Sequence, residues 1–122
     1  MEKQYKAEYD EFIKSYISGT TSAENCGILI ARLAQYFSET NMLLGQKEKY
    51  FNKIYATVAN SQDPNTLKPM AIGKADILVK DTNEYYEYNE VKTDILNIEQ
   101  MINGLKSLQK GLLLEYAHAG GM

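Results

Sequence analysis

Residues 28–58, ILIARLAQYFSETNMLLGQKEKYFNKIYATV, decide how this chain folds. Ile30, Leu33, Phe37, Thr40, Leu44, Lys47, Phe51, Ile54 and Val58 follow one another in alternating steps of three and four. A 3.5-residue period sustained over about four heptads is a coiled-coil seam, not the stripe of a short helix. No proline interrupts it, so one helix is expected from Ala23 to Ala59. A second row, Leu29, Tyr36, Leu43 and Tyr50, runs beside the seam at seven-residue spacing and widens the apolar face enough for two neighbours. Lys47 is a charged break in the seam, and Gly45 beside it weakens the helix locally.

A matching seam lies near the C-terminus: Tyr88, Val91, Ile95, Ile98, Ile102, Leu105, Gln109, Leu112 and Tyr116. It predicts a helix from about Asn83 to Ala117, with Thr82 or Asp81 as its cap. Glu84, Glu87, Glu90 and Asp94 come early and Lys106 and Lys110 late, the order that complements a helix dipole. Gly104 and Gly111 are costly inside a helix; seven apart, they mark either the close approach of another backbone or simple tolerance.

Upstream, Tyr5, Tyr9, Phe12, Ile13, Tyr16 and Ile17 form the aromatic face of an amphipathic helix over residues 2–18, ended by Gly19. Thr21-Ser22-Ala23-Glu24 reads as a capping box for the next helix. Residues 60–65, Asn-Ser-Gln-Asp-Pro-Asn, are a stop and a turn. A short helix is expected over about 72–80. The rival is an α+β arrangement in which Asp76–Lys80 and Glu84–Val91 pair as a β-hairpin, since Tyr85, Tyr86 and Tyr88 suit a strand.

The expected fold is therefore all-α, within one domain. Two long helices form an antiparallel hairpin, with Val58 near Tyr88 and Ile30 near Tyr116. The N-terminal helix completes a three-helix bundle at one end. In that register Lys47 approaches Glu99, and the later flank of the last helix (Met101, Leu108, Leu113) faces the N-terminal helix.

Ile28 to Phe37, Tyr88 to Lys92 and Ile98 to Gly111 resemble small all-helical proteins encoded by bacteriophages and prophages. The resemblance covers about two-thirds of the chain and rests on helical segments. It implies a mobile-element origin and carries no functional residue with it.

Composition narrows the function. The chain has 122 residues, a net charge of −3, and 44% hydrophobic against 24% charged residues, the balance of a globular domain. An acidic chain is not a general nucleic-acid binder. One cysteine (Cys26) and one histidine (His118) exclude a disulfide framework and a Cys/His zinc site within one chain. The first six residues lack the apolar core of a secretory signal, and no apolar run is long enough to span a bilayer. A cytoplasmic setting in a bacterial host, with no membrane partner, is expected.

No arrangement of residues points to catalysis. Glu115 and His118 have the Glu-x-x-His spacing of di-iron bundles, but those sites need two such motifs and further carboxylates. Cys26 with His118 as base lacks an orienting acid or amide. Gly73-Lys74 is followed by Ala75, not by the Ser or Thr of a phosphate loop. The expectation is a protein that is not an enzyme, with no catalytic residue, metal or cofactor.

What stands out is aromatic: ten tyrosines and no tryptophan. Tyr5, Tyr9, Tyr16, Tyr36, Tyr88 and Tyr116 fall on packing faces. Tyr50, Tyr55, Tyr85 and Tyr86, with Leu43, gather where the bundle is expected to be thinnest. They make an aromatic patch suited to a partner protein. The expected function is an oligomerising protein-interaction or structural protein, associating with itself or with a phage or host protein. Two alternatives use other residues or ligands. One is a nucleic-acid accessory protein of phage replication or recombination, working through Lys49, Lys53 and Lys74. The other is a binding protein that sequesters a nucleotide or inhibits a host factor. Thr40, Lys47 and Gln109 are polar seam positions and read as specifiers of register or oligomer state.

Overall fold

A computed structural model describes residues 3–120 of the chain, with side chains through Glu115. Four helices follow in order: α1 (Gln4–Ile17), α2 (Ala23–Ala59), α3 (Ile72–Lys80) and α4 (Asn83–Gly120). The fold is all-α, and α2 packs against α4. The hairpin alternative over 76–91 is overturned, because this stretch is the end of α3, a two-residue turn and the start of α4. Thr82 decides it locally. Its hydroxyl accepts the Tyr85 N–H (3.3 Å), capping α4, and donates to the Val79 carbonyl (2.6 Å), closing α3. Tyr85, Tyr86 and Tyr88 therefore enter a helix despite their strand preference.

Local chemistry sets the other ends. Gly19 takes φ +73° after α1, a conformation open to glycine without strain. The cap of α2 lies one residue later than the expected box: Ser22 Oγ accepts the Asn25 N–H at 3.2 Å. α1 begins at Gln4, two residues later than the pattern suggested.

The chain divides into two compact units, one built from the segment up to Glu39 together with Ile95 onward, the other from Thr40–Asp94. The first unit is a three-helix bundle. Tyr5 and Phe12 of α1, Cys26, Leu29 and Leu33 of α2, and Ile98 and Leu105 of α4 form one buried cluster. Tyr9, Ile13, Ile30, Tyr36, Phe37, Met101, Ile102, Leu108 and Leu112 pack against it. On the flank of α4, Met101 and Leu108 pack against this cluster, to which α1 contributes Tyr5 and Phe12. Leu113, expected with them, is more than half exposed. Tyr16 and Ile17, expected on the inner face of α1, are also exposed, since the core ends at Phe12 and Ile13.

Register within this bundle differs from expectation. Ile30 opposite Tyr116 would bring Gln109 to Phe37. Instead Gln109 Nε2 donates to the Ala23 carbonyl at 3.2 Å, and Cys26 Sγ donates to the Leu105 carbonyl at 3.2 Å. The helices are displaced by two heptads from the expected pairing. The physical reason is that a regular seam presents an apolar side chain after every seven-residue slip, so apolar packing hardly distinguishes registers. A polar partner does distinguish them. Gly27 makes the space, since a Cβ there would lie 2.8 Å from Gln109 Nε2. Gly104 and Gly111, by contrast, have open space where a Cβ would stand.

The second unit contains the end of α2, the connection, α3 and the start of α4. Ala75, Val79 and Val91 are its buried aliphatic residues. Phe51 stacks on Tyr88 with ring centroids 5.1 Å apart and planes 9° from parallel. Tyr88 thus meets Phe51 and not Val58, a slip of one heptad from the expected register. Lys47 is likewise corrected: its Nζ pairs with Glu87 Oε2 at 2.8 Å, not with Glu99. The connection is held by a bridge between Gln62 and Pro69 and by Leu67 in the left-handed region at φ 57°.

Candidate functional site

The apolar rows of α2 position every residue of the candidate interaction surface. Seam residues from Ile30 to Val58 are all buried or half-buried, as the 3.5-residue period requires. The second row behaves differently along its length. Leu29 is buried and Tyr36 half-buried beneath α1, whereas Leu43 is 41% and Tyr50 61% exposed. Met42, next to Leu43, is exposed as well.

The anchored half is also held by polar groups. Arg32, on the turn before Tyr36, forms an ion pair with Glu8 of α1. The hydrogen bond to the Glu8 carboxylate raises the pKa of the Tyr36 phenol, with burial adding to the effect. The same carboxylate, by hydrogen bonding and charge, raises that of the Arg32 guanidinium.

The four tyrosines set apart by the sequence differ in exposure. Tyr55 is half-buried, and a hydrogen bond with Asp76 of α3 raises its pKa. Tyr85 is half-buried, with its ring centroid 5.8 Å from Phe51 and 6.1 Å from Tyr86. Tyr55 thus reaches α3, whereas Tyr85 joins an aromatic cluster with Phe51 and Tyr86. Tyr50 and Tyr86 stay open, Tyr86 at 60% exposure. Lys92 lies 5.0 Å above the Tyr88 ring, a cation–π contact that uses the outer face of the stack.

Of the lysines proposed for nucleic acid, Lys74 is committed elsewhere. Its Nζ donates to Asp63 Oδ2 at 2.8 Å, and Asp63 Oδ1 accepts the Asn65 N–H at 2.9 Å. Lys49 and Lys53 remain exposed, one turn apart on either side of Tyr50. With Gln46 these residues surround a hollow of about 380 Å³ on the outer face of α2. Gln46, Lys49, Tyr50 and Lys53 are spaced i, i+3, i+4 and i+7, so they are mutual neighbours on one helix surface.

Cys26 is fully buried and donates to a backbone carbonyl, and burial pushes its thiol pKa up. That is the environment of a packing residue and not of an activated thiolate. His118 and Tyr116, with the Glu115–His118 pair, lie outside the residues whose side chains are described. Among the described residues no three His, Cys, Asp or Glu side chains gather as metal ligands, and no helix is long and apolar enough to cross a membrane. Sequence reasoning missed the Gly27–Gln109 contact, the Asp63–Lys74 pair and the Glu8–Arg32–Tyr36 cluster. Each joins residues on different elements, and no local pattern announces such pairings.

The fold defines a small all-helical bundle protein. No protein-family model, no curated protein and no solved structure matches the chain.

Proposed function

We propose that this chain is a non-catalytic, oligomerising interaction protein of phage or prophage origin, acting in the cytoplasm of its host cell. The observation that carries this reading is the division of the second row of α2. Leu29 and Tyr36 are covered by α1, while Leu43 and Tyr50 continue the same row uncovered. Isolated exposed apolar side chains are ordinary, but an apolar row that is a helix seat for half its length is a surface shaped for another helix. Tyr86, and Ile72 and Ile77 on α3, enlarge the open apolar area of the second unit.

Light scattering coupled to size-exclusion chromatography tests this. The chain should elute as an oligomer that Tyr50→Glu or Leu43→Glu dissociates, with helix content unchanged. A monomer at every concentration, unaltered by either substitution, sinks the oligomerising reading.

A second reading is favoured by Lys49 and Lys53 beside an open tyrosine, an arrangement that suits a stacked base between phosphates. It requires salt-sensitive binding of single-stranded DNA that Lys49→Glu abolishes.

A further inference from the structure

We draw no further inference here: the strongest candidate, the exposed surface patch of Leu43, Lys49, Tyr50 and Lys53 on the outer face of α2, belongs to the site already described, and nothing in the structure shows what covers it.

Discussion

Lys74 Nζ of α3 lies 2.8 Å from Asp63 Oδ2, which ties α3 to the connection that leads into it. Asp63 is also the hub of that connection. Its N–H donates to the Lys68 carbonyl (2.8 Å), its own carbonyl accepts the Leu67 N–H (2.8 Å), and its Oδ1 accepts the Asn65 N–H. The Lys74 hydrogen bond, followed by the backbone bond from Asn65, holds the carboxyl below the usual aspartate range.

A folded-state pKa held below the unfolded value of about 3.9 stabilises the chain above that pH and ceases to as pH falls through the folded value. Thermal unfolding followed from neutral pH down to about pH 2 should therefore show an acid-side loss that Asp63→Asn reduces. At neutral pH Asp63→Asn should lower the midpoint. Parallel curves for the two proteins across the acid range would show that the pair contributes nothing.

Gly104 and Gly111 stand in α4 with nothing near the position of a Cβ. Replacing either with alanine removes a helix-propensity cost of about 1 kcal/mol, so Gly104→Ala and Gly111→Ala should each raise the melting midpoint by a few degrees. Gly27→Ala should not, because its Cβ would come within 2.8 Å of the Gln109 amide. Adding Gln109→Ala to Gly27→Ala should recover part of the propensity gain. Additive effects of the two changes would mean the contact is not formed.

Leu105 is fully buried in the three-helix bundle, while Leu113, one turn from Gln109, is open to solvent. Leu105→Ala should cost about 2–5 kcal/mol in urea unfolding. Leu113→Ala should stay within about 0.5 kcal/mol. Equal effects would return Leu113 to the packed flank that its sequence pattern suggests.

The thiol of Cys26 should react slowly with an aromatic disulfide reagent in the folded protein. Its labelling rate should rise with urea in step with loss of helical signal. Rapid stoichiometric labelling without denaturant would contradict the burial of Cys26 against the Leu105 carbonyl.

Which faces are buried was legible from the spacing of Leu33, Ile98, Leu105 and their seam neighbours, because a heptad row maps directly onto one side of a helix. Position along that side was not. A slip of seven residues superposes apolar on apolar, so Phe51 in place of Val58 meets Tyr88 without disturbing the pattern. The candidate surface was legible to the same degree. Leu43 and Tyr50 belong to a row whose cover ends with α1, and their exposure follows. Tyr55 and Tyr85 were grouped with them because their helical phase leaves them off the seams. Their partners, Asp76 on α3 and Phe51 on α2, lie on other elements, and the periodicity within one helix does not encode such pairings.

Register itself is open to a direct measurement at Lys47. This side chain interrupts the seam of α2 and reaches Glu87, while Glu99 is the residue that the unslipped register would bring to it. A charge-reversal cycle separates the two. Lys47→Glu should destabilise the chain, and Glu87→Lys in the same molecule should restore part of the loss. Lys47 is 28% and Glu87 55% exposed, so solvent screens the pair, and a coupling of about 0.2–1 kcal/mol is the expected size. The coupling should shrink as sodium chloride is raised, since surface pairs weaken as the screening length falls. Glu99→Lys should show no such rescue. Rescue by Glu99→Lys and none by Glu87→Lys would restore the expected pairing of α2 with α4, and with it would remove the stacking of Phe51 on Tyr88.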